Sequence, residues 1–535
     1  MSGRRRPHPI LTHSLVGLIF LLLAGASTWP LARHLSTHLL IGSETTATVP
    51  YLNTWTIEWN LDRLADGYRD YWQAPIFYPA EGTFAFSDPQ LATAWLAALF
   101  SGGSPAFTYN AVLLTMLALN GFAAYRLLRN LALTHFAAVA GGVLVLLLPF
   151  VTHERGVLHL LPLFAPLLAL NALWGLSQEA SLKRGLALGQ WIGLSFLTSE
   201  QFGLLLVMLL IPLMLALGLH RRTTLWPLAA TALLAALLVT PLLLSQSQIL
   251  EVQGFARSER SVAGGSASLA DYVQVPSSLL LSEVVGQQDT RLGLYPGLLL
   301  SLLAIVGFRH PQARRLRWPL LVLIGLAFLA SLGLNIYLGD WQPYRLLWQH
   351  VPGFQHLRSP FRFAVWVQAG LVLLAAFAID CWWAGKRRWL AAGALCLAAL
   401  EIFPGPARLA PMPPAVDLSA VEAPAIFLPY VQGSSASAYT QTTAWMLQAQ
   451  PSRLTLVNGY SGYFPPQNSF LKAALAGFPD EESRQALIEI KVSSILVGRD
   501  WWQARLDEIG TAAAPDWLRS SGEAGEFLIF TLQGE

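Results

Sequence analysis

The chain has 535 residues, of which 54% are hydrophobic and only 12% are charged. Soluble globular proteins carry about 25% charged residues, so this composition excludes an ordinary cytosolic enzyme and a disordered chain. The formal net charge of +3 is too small for a nucleic-acid-binding surface. Cys381 and Cys396 both lie in apolar runs and lack the spacing of a disulfide framework or metal site. A polytopic membrane protein remains.

Eleven runs approach the roughly 20 apolar residues that a membrane-spanning helix needs. They lie near residues 14–32, 107–128, 133–150, 158–177, 185–200, 202–219, 224–244, 292–308, 318–338, 361–384 and 389–404. The run at 185–200 is the weakest because it contains Gln190. The first run resembles a signal peptide, but its apolar stretch continues to Ala32, which favours an uncleaved anchor.

Lysine and arginine placement predicts the orientation of these helices. With a cytoplasmic N-terminus, the inner segments carry 16 cations in 49 residues, whereas the outer ones before residue 404 carry 10 in roughly 150. Positive charge favours the cytoplasmic side. We therefore predict a cytoplasmic N-terminus and an extracytoplasmic C-terminal segment, in a bacterial inner membrane.

Two domains are predicted, a transmembrane domain over residues 1–404 and an extracytoplasmic domain over 405–535. Runs 425–428, 454–457, 494–497 and 527–530 have strand length, and 467–476 and 480–491 have helical spacing. This alternation indicates a small α/β domain. It contains no GxGxxG, P-loop or GxSxG motif, which favours a docking or lid role.

The first outer loop, over about 33–90, is rich in acids and aromatics. Trp55, Trp59 and Asp62 have the spacing of a helix over 53–64. This pattern predicts a surface helix with tryptophans at the headgroup level. Tryptophan rings also suit the apolar faces of sugars, so both interpretations stay open.

This layout resembles the GT-C superfamily of membrane glycosyltransferases. The similarity lies in the long acidic first loop, the basic inner loops, the outer C-terminal domain, and the stretches Asn53–Trp55, Ile76–Pro79 and His356–Phe363. It implies an α-helical polytopic fold and transfer of a sugar from a polyprenyl-phosphate donor to a glycan, lipid or protein acceptor at the outer face. The bilayer is a further partner, and no nucleic acid is expected.

The resemblance also implies a first-loop acid that serves as general base or orients the acceptor. Glu44 matches this acid by position, although it is a Glu where the family usually has Asp. A carboxylate can take the acceptor proton, an effect of about 10²–10⁴-fold. Trp55 and Asp88 are the other first-loop residues that we expect to bind substrate. Val49-Pro50 replaces an acid that related chains often carry before Asn53, which supports the alternative of a non-catalytic envelope assembly protein.

The anionic leaving phosphate requires cations or a helix N-terminus on the outer side. Arg358 and Arg362, with His356, precede the tenth run, and their spacing at a helix start predicts a shared face. Arg155 lies in the turn between the third and fourth runs, and Glu200 at a span junction. We expect all five residues to bind substrate, and Glu44 and Arg358 to face one cavity.

No cofactor is predicted, since no histidine belongs to an HExxH motif and no third ligand accompanies the histidine pairs. A divalent metal held by first-loop acids stays open because some GT-C enzymes depend on one. A transporter is a second alternative, but the span centres are almost free of charge and no repeat is visible.

Overall fold

The structure is a computed structural model that describes residues 9–42, 46–285, 292–385, 387–511 and 513–533. The chain divides into two compact units. Unit 1 comprises Met1–Leu35, Asn110–Ser245 and Ala256–Leu409, and unit 2 comprises Ser36–Tyr109, Gln246–Phe255 and Ala410–Glu535. The predicted boundary after residue 404 lies near Leu409, where the chain leaves unit 1 for the last time; the boundary itself stays a prediction.

The described part of the chain is mainly helical. In chain order the helices are α1 Pro9–Ser27, α2 Thr48–Ala65, α3 Leu91–Ala97, α4 Pro105–Asn130, α5 His135–Leu146, α6 Pro149–His153, α7 Phe164–Gln178, α8 Leu182–Thr198, α9 Glu200–Ala216, α10 Leu225–Val252, α11 Glu259–Gly264, α12 Leu280–Val285, α13 Leu298–Phe308, α14 Arg317–Ser331, α15 Tyr344–His350, α16 Ala364–Ala384, α17 Arg388–Glu401, α18 Thr440–Ala449, α19 Pro466–Ala474, α20 Glu481–Glu489 and α21 Arg499–Ile509. The strands are β1 His38–Ile41, β2 Arg408–Pro411, β3 Ala425–Leu428, β4 Ser494–Gly498, β5 Leu518–Ala524 and β6 Phe527–Leu532.

Each of the eleven predicted runs overlaps a helix of this structure. Within the described ranges, five helices are long and apolar enough to cross a membrane by length and composition, namely Pro105–Asn130, His135–His153, Leu158–Gln178, Arg222–Val252 and Pro360–Ala384. Four shorter apolar helices are Leu11–Ser27, Glu200–Ala216, Leu298–Phe308 and Arg317–Ser331. The chain is therefore a multi-pass membrane protein, and the count of eleven spans is not confirmed.

Helix α16 forms the centre of unit 1. Its side chains from Ala364 to Phe377 are almost all buried, and it packs against α5, α13, α14 and α17. Gly307 of α13 permits a close approach, because a Cβ there would lie 1.8 Å from the carbonyl oxygen of Leu374. An apolar helix buried on all sides suits the core of a helical bundle.

Unit 2 contains a four-stranded sheet in the order β3-β4-β6-β5. Strand β3 runs parallel to β4, whereas β6 is antiparallel to both β4 and β5. The predicted strands 425–428, 494–497 and 527–530 and the predicted helices 467–476 and 480–491 are confirmed as β3, β4, β6, α19 and α20. The run 454–457 pairs only as an isolated bridge, in which Leu456 lies beside Ala425 of β3.

Part of the first loop continues this sheet. The N–H of Leu456 donates to the carbonyl of Pro75 across 3.0 Å, and the N–H of Tyr78 donates to the carbonyl of Leu456 across 2.9 Å. On the other side, the N–H of Val457 donates to the carbonyl of Ala425 across 2.9 Å. Residues 75–78 of the first loop therefore pair with the segment around Leu456, which in turn pairs with β3 of the tail.

Candidate functional site

Unit 1 has an irregular, buried segment between α5 and α7. Helix α5 ends at Leu146, α6 is a short helix that starts with Pro149, and a 3₁₀ turn follows at Leu158–Leu160. Arg155 lies between α6 and this turn and is only 5% exposed. Non-helical backbone within a membrane protein is tolerated where it is buried in protein or lines a cavity, so this break marks a candidate site.

Two amides hold the break in place. The Gln368 side chain of α16 accepts from the Phe150 N–H across 3.0 Å and donates to the Gly293 carbonyl across 3.0 Å. The Asn120 side chain of α4 donates to the Leu161 carbonyl across 2.7 Å. The bonds to Phe150 and Leu161 satisfy backbone groups that a continuous helix would have paired internally, and they fix the backbone on both sides of Arg155.

Arg155 is a cation inside the protein. Its Nη2 donates to the Thr152 hydroxyl across 3.4 Å. Burial lowers the pKa of Arg155 to about 9, so the guanidinium stays protonated at neutral pH. A buried charge is costly unless an opposite charge compensates it, and Arg155 is therefore well suited to bind an anion.

Arg362 lies in the 3₁₀ turn Pro360–Phe363, immediately before α16. Its guanidinium donates to the side-chain oxygen of Gln201 and lies 5.9 Å from the centre of the Phe361 ring. It also lies close to His159. The structure thus brings Arg362 near the 3₁₀ turn that follows Arg155.

Glu200 occupies the first turn of α9, next to Gln201. The Ser199 hydroxyl caps this helix by accepting from the Phe202 N–H across 3.3 Å. An acid suits the positive end of the helix dipole. The span junction noted in the sequence is therefore a helix boundary, and it positions the amide that holds Arg362.

Arg358 and His356 belong to the loop before the turn. The Arg358 side chain is exposed and precedes the first helical residue, whereas Arg362 is partly buried. The predicted shared helix face is wrong, because Ser359 has non-helical dihedral angles (φ −128°, ψ 80°) and the helical turn begins only at Pro360. His356 lies in a separate 3₁₀ turn, with its Nε2 3.2 Å from the amide nitrogen of Gln355.

The predicted first-loop helix is confirmed as α2 of unit 2. However, Trp55 and Trp59 are only 3% and 7% exposed and stack on each other with ring centres 6.3 Å apart. Both contact Phe84, and Trp59 also donates to the Tyr71 carbonyl across 3.1 Å. The prediction that these rings lie at the headgroup level is wrong, because the rest of the loop folds over them.

Asp88 and Trp55 line one small cavity of unit 2, together with Thr56, Ser87 and Ser461. Its volume of about 10 Å³ is enough for roughly one water molecule. The structure therefore brings together two of the predicted substrate-binding residues. The cavity is too small for a sugar ring.

An amide pair supports Asp88. Asp88 accepts from the Gln90 N–H across 3.1 Å, and the Gln90 side chain donates to the Asn53 side-chain oxygen across 2.8 Å. Asn53 and Gln90 are 1% and 3% exposed. Gln90 has a φ of 52°, which is uncommon for a residue with a Cβ. This constrained contact fixes Asp88 relative to α2.

Two acids of α2 have shifted pKa values. Burial raises the pKa of Glu58. Burial also favours a higher pKa for Asp62, but the hydrogen bonds and charges of Arg63 and Arg453 outweigh it and hold this pKa below its usual value. Glu44, the predicted base, lies outside the described residues. Among the described residues, no group of three His, Cys, Asp or Glu side chains could hold a metal ion.

Sequence reasoning did not assign a role to several amides that organise these regions, namely Asn53, Gln90, Gln201 and Gln368. For Gln368 the signal was available, because a strongly polar residue inside an apolar span is costly and often marks a functional region. Gln201 and Gln90 offered no comparable signal. Their roles depend on partners distant in sequence.

The fold is similar to that of a solved arabinofuranosyltransferase. The cryo-EM structure of the arabinofuranosyltransferase AftD from Mycobacteria matches with a TM-score of 0.59 at 14% identity, over 99% of this chain and 40% of that chain. An AftD mutant matches with a TM-score of 0.58 at 12% identity, over 99% and 42%. An Archaeoglobus fulgidus oligosaccharyltransferase gives a TM-score of 0.45 at 12% identity, over 98% and 74%.

This chain therefore has a GT-C-like fold, which confirms the resemblance predicted from sequence. It spans about 40% of the length of AftD. Residues 70–402 match the family described as "Domain of unknown function (DUF6311)", and the chain belongs to this family. No curated protein matches the chain.

Proposed function

We propose that this chain is a membrane glycosyltransferase that takes a sugar from a polyprenyl-phosphate-linked donor and transfers it to an acceptor at the extracytoplasmic face of a bacterial inner membrane. The observation that carries the proposal is the GT-C-like fold, similar to that of an arabinofuranosyltransferase over 99% of the chain. The arginine-rich inner loops support the proposed orientation, with a cytoplasmic N-terminus and an extracytoplasmic tail. The proposed acceptor is a glycan, a lipid or a protein.

The reaction needs one base and one anion-binding group. The acceptor hydroxyl oxygen bonds to the anomeric carbon while the bond between that carbon and the phosphate oxygen breaks. The hydroxyl proton passes to a carboxylate, for which we propose Glu44, and polyprenyl phosphate leaves as the anion. A positioned base contributes about 10²–10⁴-fold, and stabilisation of the developing phosphate charge by a cation contributes a similar factor.

Arg362 and Arg155 are the proposed partners of the donor phosphate. The support for Arg362 is its guanidinium, which the amide of Gln201 holds in a defined orientation. The support for Arg155 is its burial beside a broken helix. Arginine suits both positions because its planar fork matches phosphate oxygens. Arg358 and His356 are proposed to contact the donor from the loop before α16.

Trp55, Asp88 and Glu200 complete the proposed substrate-binding set. Asp88 is supported by its hydrogen bond from the Gln90 N–H and by its position at the small cavity of unit 2. For Trp55 the support is its position beside Asp88. Since Trp55 is only 3% exposed, its proposed role is to shape the surface around Asp88. Glu200 is supported by its position beside Gln201.

The test uses the purified full chain in lipid nanodiscs with a panel of synthetic polyprenyl-phosphate sugars. Release of free polyprenyl phosphate, measured by mass spectrometry, reports donor cleavage for any acceptor. We expect release from at least one donor when a membrane extract supplies acceptors. Glu44→Gln should reduce the rate by about 10²–10⁴-fold.

Arg126→Gln is the matched control, because Arg126 is exposed and lies on a predicted inner segment. It should release polyprenyl phosphate at the wild-type rate. Full activity of Glu44→Gln would remove Glu44 as the base while leaving the transferase intact. No release from any donor, with a folded and monodisperse protein, would instead contradict the transferase itself.

A further inference from the structure

An apolar groove lies between α13, α16 and α17 of unit 1. Its lining side chains are all apolar and include Trp382, Trp389, Leu303 and Leu397. Its volume is about 370 Å³, within the range of roughly 300–1,000 Å³ that is typical of small-molecule sites. Gly393 keeps the groove open, since a Cβ there would meet no atom within 4 Å. The groove is therefore shaped for a hydrocarbon chain.

The two ends of the groove differ in charge. Arg387 and Arg388 precede Trp389, are exposed, and Arg388 lies 5.5 Å from the ring of Trp383. At the other end of α17, the Glu401 carboxylate accepts from the N–H groups of Leu298 and Leu299 across 2.7 and 2.8 Å, and so caps α13. An anionic head group is therefore attracted to the arginine end and repelled at the glutamate end.

We propose that this groove binds one acyl chain of an anionic glycerophospholipid, with the lipid phosphate at Arg387 and Arg388. Basic positions between membrane helices bind anionic head groups, and tryptophan favours the interface where such head groups lie. The helix from Trp389 to Leu397 rises about 12 Å, close to the roughly 15 Å of one hydrocarbon leaflet. The groove length thus fits a single chain from one leaflet.

This site is separate from the proposed donor site. The arginine end of the groove belongs to a predicted inner segment, whereas the donor phosphate is proposed at the outer face. A polyprenyl phosphate bound from the outer leaflet would direct its phosphate to the Glu401 end of the groove. The charge pattern therefore favours a phospholipid of the inner leaflet as the occupant.

Native mass spectrometry of the full chain tests this inference. The protein is purified in detergent, incubated with equal amounts of phosphatidylglycerol and phosphatidylethanolamine, and examined for retained lipid. We expect one retained phosphatidylglycerol per chain. Gly393→Leu, which fills the groove, should reduce retention at least fivefold. Replacing both arginines with glutamine, Arg387→Gln and Arg388→Gln, should abolish the preference for phosphatidylglycerol.

Gly325→Leu is the matched control. Gly325 lies on α14, and a Cβ there also meets no atom within 4 Å, so this variant adds the same side chain away from the groove. It should retain lipid like the wild type. If Gly393→Leu does not fold, the arginine double variant carries the test alone.

Three results would overturn the inference. The first is equal retention of the two lipids by the wild type, and the second is a retained species that proves to be polyprenyl phosphate. The third is a wild-type dimer that Gly393→Leu converts to a monomer, because a second copy of the chain would then cover the groove.

Discussion

The N–H of Tyr78 donates to the carbonyl of Leu456 across 2.9 Å, so the first loop and the tail share one hydrogen-bonded arrangement. The neighbouring Phe77 N–H donates to the Asn458 carbonyl across 3.2 Å, and the Tyr463 N–H donates to the Phe86 carbonyl across 3.0 Å. The loop that carries Asp88 is thereby attached to the tail along its length. In the proposed enzyme, the tail acts as the support that holds this loop in a fixed conformation.

Phe77→Ala should therefore destabilise unit 2. Phe77 is 2% exposed, and its ring lies 6.1 Å from that of Phe86 and 5.8 Å from that of Phe464. Truncating a buried phenylalanine costs about 3–5 kcal/mol. We expect faster proteolysis within the tail of the full chain at a fixed temperature. Phe470→Ala is the control, since Phe470 is 45% exposed, and equal proteolysis of the two variants would contradict the prediction.

Local sequence patterns predicted the elements of this fold well. Apolar runs marked α4, α5 and α7 to α10 in the membrane portion, and the helical spacing of Trp55, Trp59 and Asp62 marked α2, but the break between α5 and α6 was not predicted. Strands β3, β4 and β6 followed from short apolar runs. These successes have a common physical cause. Burial of one face of an element places apolar residues at regular spacing in the sequence, and this spacing can be recognised without knowing which element packs against that face.

Features that depend on distant partners were not predicted. The inward orientation of Trp55 depends on Phe84, and the attachment of Tyr78 depends on Leu456. An amphipathic pattern does not distinguish burial against protein from burial against lipid. The predicted shared face of Arg358 and Arg362 was wrong for a related reason. A spacing of four residues places two side chains on one face only within a helix, and here the helical turn begins at Pro360, after Arg358.

Gln368→Leu should weaken the region around Arg155. The substitution leaves the Phe150 N–H and the Gly293 carbonyl without the Gln368 bonds, and Gln368 is fully buried. An unsatisfied buried polar group costs about 1–3 kcal/mol. We expect a lower thermal unfolding temperature of the full chain in detergent.

Gln190→Leu provides the comparison for this variant. Gln190 lies on α8 with an exposed side chain, and surface substitutions usually change stability by less than about 0.5 kcal/mol. A Gln368→Leu protein as stable as Gln190→Leu would show that the two backbone groups find other partners.

Asp62 should confer stability that depends on pH. Its carboxylate pairs with Arg453 of the tail and with Arg63, and these partners hold the pKa below its usual value despite burial. A carboxylate with a lowered folded-state pKa stabilises the protein above the unfolded pKa of about 3.9. This contribution disappears as the pH falls through the folded-state value.

We expect Asp62→Asn to cost roughly 0.2–1 kcal/mol at pH 7, because Arg453 is 71% exposed and solvent screens the pair. The difference from the wild type should be fully present well above the unfolded pKa of about 3.9 and should shrink as the pH falls through the lower folded-state pKa. Thermal unfolding at a series of pH values measures it. A difference that grows as the pH falls would reverse the assigned sign.

Arg362 and Arg358 should contribute unequally to donor cleavage. Arg362 is partly buried and held by Gln201, whereas Arg358 is exposed and its charge is screened by water and salt. Loss of a preorganised charge-stabilising group costs about 10²–10³-fold in rate, so Arg362→Gln should lower kcat/KM for donor cleavage by this factor. Arg358→Gln should lower kcat/KM less than about tenfold.

Arg362→Lys should recover only part of the loss, because lysine keeps the charge but not the planar fork. Equal effects of Arg358→Gln and Arg362→Gln would contradict the prediction. They would mean that the hydrogen bond from Arg362 to Gln201 gives Arg362 no larger role in binding the phosphate.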